Sequence, residues 1–121
     1  MQEIILTGNL GNDPEMRFTP KGVAVTHFSV AVNDRDDTAW FRISSWGDQA
    51  ENCKKYLAKG SKVLVKGRLT FDKETGGPSA FISTKDGQPR ASFEVSALYV
   101  EFLDSKSDAP RQESGGGLPW K

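Results

Sequence analysis

The sequence has very few of the residues that build disulfides, metal sites and membrane spans. Its single cysteine, Cys53, has no partner for an internal disulfide, which favours a reducing, cytoplasmic location. One histidine, His27, and one cysteine are too few for a zinc site. No apolar run approaches the roughly 18 residues of a membrane-spanning helix, and we expect no signal peptide ahead of the first apolar segment.

Signals of catalysis are missing as well. The segment from Gly8 to Gly11 lacks the spacing and the following lysine of a phosphate-binding loop. An acidic cluster at Asp34, Asp36 and Asp37 could hold a divalent cation, but acidic loops of this kind are usually just solvated. We therefore predict that the protein is not an enzyme and needs no metal or cofactor.

Positive charge is not in excess either. Lysine and arginine number 16, aspartate and glutamate also number 16, and the formal net charge is zero. A surplus of basic residues is the usual electrostatic footprint of a nucleic-acid-binding protein. Composition alone therefore does not predict such binding, and any such prediction depends on where charges and rings lie.

Most of the chain is patterned as short strands separated by turns. Alternating or β-branched runs predict five strands: a first at 4–7 that can resume at 16–19, a second at 23–33, a third at 40–46, a fourth at 61–73 and a fifth at 90–103. A short extended piece lies at 81–84. Between the third and fourth strands, residues 48–58 have helical spacing; Asp48 and Glu51 are placed as a capping box, and Gly60 is placed to end the helix.

This order predicts an all-β protein: a five-stranded OB-fold Greek-key barrel with one helix between strands 3 and 4, a fold that binds oligonucleotides or oligosaccharides on one face. Many small β domains carry one helix, so the order alone leaves other folds open. We place the domain at residues 1–103. The Gly/Ser-rich segment 104–121, which ends in Leu118, Pro119, Trp120 and Lys121, is predicted to be a disordered tail.

Aromatic residues on the third strand are the most informative feature. Two-residue periodicity places Trp40, Arg42 and Trp46 on one face and leaves Phe41 and Ile43 for the core. The two tryptophans would lie roughly 20 Å apart at about 3.3 Å per residue. Two rings with a guanidinium between them suit base stacking, but exposed tryptophans are equally explained by a subunit interface.

The fourth strand adds basic residues to an outer face. Lys62, Lys66 and Arg68 alternate with apolar residues that would face the core. Cations beside stacking rings are what sequence-independent binding of a single strand requires. Charged side chains on the outer face of a strand more often only keep a protein soluble, and this alternative explains the same pattern.

Several motifs resemble one family in continuous order. The opening run 4–18, with Gly8-Asn9-Leu10-Gly11-Asn12-Asp13-Pro14-Glu15 at its centre, is similar to the start of bacterial and mitochondrial single-stranded DNA-binding proteins. Further matches are Trp40-Phe41-Arg42, Trp46-Gly47, the segments 56–63 and 65–69, Asp86-Gly87 with Arg90, and 92–95. The resemblance covers about residues 1–103.

The resemblance implies an OB-fold that binds single-stranded DNA, largely without sequence preference, in replication, recombination and repair. It also implies a homotetramer and a nucleoid-associated cytoplasmic protein. By position, Trp40 and Trp46 match stacking rings, and Arg42 and Lys59 match contacts to the DNA backbone. Candidate DNA-binding residues are then Trp40, Arg42, Trp46, Lys59, Lys62, Lys66, Arg68, Phe81, Arg17 and Arg90.

Three of these assignments need comment. Phe81 is the candidate for a further ring that the family carries after the fourth strand. Arg17 lies beside a turn, and an arginine there is more often a local hydrogen-bond donor than a ligand contact. The tip Leu118, Pro119 and Trp120 resembles a family tip that docks replication and repair proteins, although here glycines precede it where the family has acidic residues.

Two other functions remain open at this point. One is an accessory OB protein similar to the primosomal replication protein, in which the fold serves assembly with a helicase. The other is a structural oligomerisation module in which Trp40 and Trp46 are buried between subunits.

Overall fold

Seven strands and one helix make up the computed structural model, which describes residues 1–82 and 86–103. In chain order they are β1 (Ile4–Leu10), β2 (Glu15–Phe18), β3 (Ala24–Asp34), β4 (Asp37–Trp46), α1 (Gly47–Tyr56), β5 (Lys62–Thr70), β6 (Ser79–Ile82) and β7 (Pro89–Phe102).

Five of these strands close into a barrel. The pairing runs β1-β5-β7-β4-β3, and β3 returns to β1 through the pairs Asn9↔Ala31 and Leu10↔Val30. Only the β4–β7 pair among them is parallel. Strand β2 pairs with β3, and β6 forms a hairpin with β7. The predicted five-stranded OB-fold barrel is confirmed, and α1 lies between its third and fourth strands, which are β4 and β5.

The core follows the two-residue alternation of the strands. Side chains of one parity on each strand face inward and are almost fully buried, since apolar surface removed from water stabilises the fold by about 25 cal/mol per Å². Together with Leu57, which follows α1, the largest fully buried side chains are Phe28, Leu10, Ile43, Val30, Val63, Val65 and Val95. Cys53 is also fully buried, as its place on the apolar face of the helix predicts.

The helix differs from its predicted form at both ends. It begins at Gly47, so Trp46 is the N-cap residue and no side chain caps the helix; the predicted capping box of Asp48 and Glu51 is wrong. Asp48 instead lies in the first turn, where its charge favours the helix dipole. The predicted end at Gly60 is also wrong: the backbone becomes extended at Leu57, whose side chain is fully buried.

Hydrogen bonds fix the helix across the barrel. The Thr26 hydroxyl donates to the carbonyl of Ala50 at 2.7 Å. Gln49 donates to the Ser45 hydroxyl at 2.9 Å and accepts from the backbone N–H of Val100 at 2.9 Å. The helix therefore holds β3, β4 and β7 in one relative position.

A bulge in β7, where Leu98 is the extra residue opposite the Lys66–Gly67 step of β5, divides the outer face of this strand pair. Pairing with β7 shifts between Lys66, which lies opposite Tyr99, and Gly67, which lies opposite Ala97. A Cβ atom at Gly67 would overlap the carbonyl oxygen of Ser96, so only glycine allows this approach. Because a bulge bends its strand and increases the local twist, outward side chains on its two sides do not continue one flat surface.

Two features are absent from the part of the chain that the structure describes. Within residues 1–82 and 86–103, no helix has the length and apolar character needed to cross a membrane. The same residues contain no cluster of three or more histidine, cysteine, aspartate or glutamate side chains placed to hold a metal ion.

Candidate nucleic-acid interface

Strand β4 presents its two tryptophans outward, as its alternation predicts. Trp40 is 52% exposed and Trp46 is 46% exposed, whereas Ile43 and Ser45 between them are fully buried. The inward side chains fix the register of the strand, since a slip of one residue would expose them. We call the outward side of β4, together with the residues that pair with it, the tryptophan face.

The position of Trp40 depends on a glycine in the opening motif. A Cβ atom at Gly11 would overlap the six-membered ring of Trp40, so the indole lies directly against the bare backbone there. The Gly11 N–H donates to the carbonyl of Ser29 at 2.9 Å, which holds this backbone in place. The ring is therefore supported from one side before any ligand arrives.

The rest of the opening motif is joined to the turn that follows the helix. The amide of Asn9 donates to the carbonyl of Gly60 at 3.1 Å, and the Gly60 N–H donates to the carbonyl of Leu10 at 2.9 Å. The backbone N–H of Lys59 donates to the Asp13 carboxylate at 2.8 Å. These bonds hold the backbone of Lys59 beside the opening loop.

Polar side chains occupy the middle of the tryptophan face. In the β3–β4 register, Arg42 lies opposite Ser29 and Ser44 lies opposite His27, between the rows that contain Trp40 and Trp46. The Ser44 hydroxyl and His27 Nδ1 share a hydrogen bond of 3.0 Å. A pocket of about 100 Å³ opens here, and its lining is Asn12, Glu15, His27, Phe28, Ser29 and Arg42.

The charges around this pocket act on the ionisation of His27. Burial lowers the pKa of His27 from its ordinary value of 6.5, and the positive charges of Arg42 and then Arg17 lower it further. The carboxylates of Glu94 and Glu15 act in the opposite direction but more weakly. The potential at His27 is therefore positive, although the chain as a whole is neutral.

The structure separates the basic residues that the sequence grouped on β5. Arg68 shares a row with the tryptophan face, because it pairs with Ser96 and Ser96 pairs with Ser44. Lys66 lies beyond the bulge, opposite Tyr99 and Ile5, with Glu3 at 3.8 Å. Lys62 is the first residue of β5 and lies opposite Asn9 of β1. Of the three, only Arg68 lies in register with the rings.

Arg17 lies on β2 at the edge of the same face. It pairs with Val25, which lies opposite Trp46, and its exposed guanidinium is 3.9 Å from the Glu15 carboxylate. At this distance the contact is an ion pair between two exposed side chains and not a hydrogen bond, so it does not decide between the two interpretations of Arg17. Its exposure leaves it equally accessible to a ligand on the tryptophan face.

Two phenylalanines extend the aromatic surface, and the sequence analysis did not select them. Phe71 follows the last residue of β5 and is 55% exposed; Phe93 lies on β7, is 52% exposed and stacks on Phe41 with ring centroids 5.3 Å apart. A cleft of about 550 Å³ is lined by Trp40, Pro78 and Phe93. A second cleft, of about 390 Å³, is lined by Phe71, Pro78 and Phe93.

These clefts share Pro78 and Phe93, so aromatic surface continues from Trp40 to Phe71. A sequence signal for Phe71 did exist: a large ring follows a strand directly and precedes a turn-rich segment. Phe93 has the same parity as the buried Val95, and its exposure follows only from its place at the end of the barrel.

Some predicted site residues lie outside what the structure describes. The backbones of Phe81 and Arg90 pair with each other in the β6–β7 hairpin, but the positions of their side chains are not described. The tip Leu118, Pro119 and Trp120 lies outside the described residues altogether.

A second exposed apolar surface lies on other strands. Ile5 on β1 is 62% exposed, and Leu98 and Tyr99 at the bulge of β7 are 57% and 49% exposed. Ile5 and Tyr99 both flank Lys66 in the sheet, so these side chains form one patch across three strands. Contiguous exposed apolar surface of this kind marks interaction sites.

Comparison with known proteins matches most of the chain to one family. A model of the single-strand binding protein family matches residues 1–103. A single-stranded DNA-binding protein of Xylella fastidiosa is 33% identical over 98% of this chain and 69% of its own length. The corresponding protein of Neisseria meningitidis is 35% identical over 100% of this chain and 67% of its own length.

All of these relatives are longer than this chain, and so are the two that follow. The chain spans 63% of a single-stranded DNA-binding protein from Xanthomonas campestris, with 33% identity over 89% of the chain. It is also similar to the crystal structure of a deletion mutant of the single-stranded DNA-binding protein from Thermus aquaticus. That match has a TM-score of 0.66 and 33% identity, and covers 86% of this chain and 42% of the other.

Proposed function

The chain belongs to the single-strand binding protein family, and from this premise we propose that it binds single-stranded DNA largely without sequence preference. The observation that carries the proposal is the tryptophan face, with Trp40 and Trp46 half-exposed on either side of Arg42. Members of this family are DNA-binding proteins, and the chain is not an enzyme. We further propose roles in replication, recombination and repair, and a cytoplasmic, nucleoid-associated location.

The proposed path of the strand follows the rings. Bases stack on Trp46 and Trp40 and continue over Phe93 to Phe71, where the two clefts meet at Pro78. Each stacked base contributes about 1–3 kcal/mol, and every base has a π-face, so this mode does not read sequence. Arg42, Arg68 and Lys59 supply phosphate contacts along the same path, and Phe81 and Arg90 remain candidates for the hairpin end.

The test is an equilibrium titration of the full chain with fluorescently labelled oligo-dT. Trp40→Ala and Trp46→Ala are each expected to weaken binding by about 5- to 150-fold, which is the loss of one stacked base. A labelled oligonucleotide is preferable to intrinsic fluorescence because the chain has three tryptophans, one of them in the tail. Absence of binding by the wild-type chain at low salt contradicts the proposal.

Salt dependence tests the balance between rings and charges. With three phosphate contacts per chain, the logarithm of the binding constant is expected to fall against the logarithm of salt with a slope of about −2. A much steeper slope would mean that phosphate contacts, rather than stacking, dominate the affinity.

We also propose that the chain assembles as a homotetramer through the patch of Ile5, Leu98 and Tyr99. Support comes from the exposure of these three apolar side chains, from their separation from the tryptophan face and from the family resemblance. Light scattering is expected to give four chains per particle for the wild type and fewer for Leu98→Asp.

Light scattering and DNA titration of Trp40→Ala separate the alternative functions. A purely structural oligomerisation module, with Trp40 and Trp46 between subunits, predicts that Trp40→Ala dissociates the particle. The proposal predicts that this variant keeps the wild-type mass and loses DNA affinity. An accessory OB protein similar to the primosomal replication protein is favoured only if the chain binds oligo-dT weakly but captures a helicase in a pulldown.

The tail supports a further partner proposal from sequence alone. Leu118, Pro119 and Trp120 are proposed to dock replication and repair proteins. Capture of such proteins by the full chain is expected to be lost when the chain is truncated after Ser114. Equal capture by both forms contradicts the proposal.

A further inference from the structure

The polar pocket between the two tryptophans has a composition that stacking does not explain. Its lining includes the polar side chains of Asn12, His27, Arg42 and Glu15, at the centre of the tryptophan face between the rows of Trp40 and Trp46. Arg42 and Ser44 occupy the two outward positions of β4 between Trp40 and Trp46. A strand that stacks on both rings must carry its backbone across these positions.

Two polar side chains of the pocket, Asn12 and His27, are already oriented by hydrogen bonds. The Asn12 side-chain oxygen accepts from the backbone N–H of Ser29 at 3.0 Å, which leaves the amide NH₂ of Asn12 as the outward donor. His27 is held by its Nδ1 contact of 3.0 Å with the Ser44 hydroxyl, so that its other ring nitrogen is available to a ligand. The Arg42 guanidinium carries a permanent positive charge. These are three donors for one anion.

We propose that His27 and Arg42 hold one backbone phosphate of the bound strand, and that His27 takes up a proton when this phosphate enters. This inference rests on the proposed binding of single-stranded DNA and adds to it a pH-dependent contact. The protonated imidazole forms a charge-assisted hydrogen bond to the phosphate, which is shorter and stronger than a neutral one.

The charges that face His27 account for its state without DNA. Arg42 on β4 and Arg17 on β2 disfavour the imidazolium, while Glu94 on β7 and Glu15 on β2 favour it less strongly. Together with burial they hold the pKa of His27 below its ordinary value, so that the free protein has a neutral histidine at pH 7. A phosphate anion beside the ring acts in the opposite direction and raises that pKa.

The sign of the pH dependence follows from these two states. Since the bound state holds the proton more tightly than the free state, affinity for DNA rises as pH falls through the interval between the two pKa values. Each unit by which the phosphate raises the pKa corresponds to about a tenfold gain in affinity. We expect oligo-dT to bind roughly tenfold more tightly at pH 5.5 than at pH 7.5 at constant ionic strength.

Three variants make the titration specific. His27→Gln is expected to bind with an affinity that no longer changes over this interval, and His27→Arg to bind with a permanent charge and equally little pH dependence. Arg68→Gln is the matched control, because Arg68 lies in the same row as His27 but three strands away. It is expected to weaken binding and to keep the wild-type pH dependence. Oligo-dT is the appropriate probe because thymine does not titrate over this interval.

A direct measurement removes any dependence on how the variants fold. His27 is the only histidine in the chain, so its imidazole resonance can be followed by NMR in the full-length wild type. Its pKa is expected to rise by about one unit on adding oligo-dT, and not on adding an oligonucleotide whose linkages are uncharged methylphosphonates.

The outcomes are distinct. An unchanged His27 pKa in the DNA complex, or the same pH dependence in wild type and His27→Gln, overturns the phosphate subsite while leaving single-stranded DNA binding intact. Failure of the wild type to bind oligo-dT at any pH instead overturns the proposed function itself.

Discussion

Replacement of Phe71 by alanine tests whether the bound strand continues past Trp40. Phe71 stands at the base of a closed loop, since the N–H of Asp72 donates to the carbonyl of Gly77 at 2.9 Å and the N–H of Gly76 donates to the carbonyl of Asp72 at 2.7 Å. This loop holds the ring, which is 55% exposed, beside Phe93 and Pro78 in the cleft. The ring is therefore positioned for stacking before DNA arrives.

The magnitude follows from the loss of one stacked base. Phe71→Ala removes about 1–3 kcal/mol of stacking, which corresponds to about 5- to 150-fold weaker binding. Because most of the ring is outside the core, the free energy of unfolding is expected to change by about 0.5 kcal/mol or less. Phe71→Tyr keeps a π-face and is expected to keep most of the affinity.

The assay is titration with labelled oligo-dT of two lengths, one that spans only the two tryptophans and one that is long enough to reach Phe71. The loss is expected for the long oligonucleotide alone. Tyr56→Leu is the matched control, because Tyr56 is also an exposed ring, at 41%, but lies on α1 and lines neither cleft. Equal binding of the long oligonucleotide by wild type and Phe71→Ala would refute the proposed path beyond Trp40.

Three further predictions concern the supports of the site and the core. Gly11→Val is expected to displace the Trp40 ring and to weaken oligo-dT binding by about as much as Trp40→Ala, roughly 1–3 kcal/mol; a titration of both variants decides this. Ile43→Ala is expected to lower the free energy of unfolding by about 2–5 kcal/mol in urea denaturation, since Ile43 is fully buried in β4. Burial raises the pKa of the Cys53 thiol to about 11, so a thiol reagent at pH 7.5 is expected to modify it only when the protein unfolds; rapid modification of the native protein would contradict this.

Much of the barrel was predictable because each strand obeys a short-range rule. In β4 the alternation of Trp40, Arg42 and Trp46 with the buried Ile43 and Ser45 is present in the sequence and is seen in the structure. A buried face fixes the register of a strand so strongly that periodicity alone identifies its outer side. The closing pairs between β1 and β3 are long-range and have no such local signal.

The site was only partly predictable because it depends on how strands are staggered. Phe93 has the inward parity of Val95, yet it is half-exposed because its part of β7 extends past the filled interior. Lys66 has the outward parity of Arg68, yet the bulge of β7 opposite Gly67 places it beside Tyr99 and away from the rings. Parity tells which side of a sheet a residue faces, whereas stagger and bulges decide which neighbours it meets.

The helix shows the same limit at its ends. Asp48 and Glu51 have the spacing of a capping box, but that motif requires the helix to begin after Asp48. The chain instead turns directly from β4 into α1 at Trp46 and Gly47, because β4 remains paired with β3 up to Trp46. A boundary set by sheet pairing is not visible in the local sequence.

Zero net charge is consistent with DNA binding once the charges are placed. Glu15 and Glu94 lie close enough to influence the ionisation of His27. Their negative charges partly offset the positive charges of Arg42 and Arg17, so little positive potential extends far from the surface. The attraction of these arginines for phosphate is therefore short-range and develops only as the strand settles between the rings. Long-range steering, which raises association rates in strongly charged binders, contributes little to such a surface. Differences in affinity between variants of these rings should then arise mainly in the rate of dissociation, because stacking is lost only when the strand leaves.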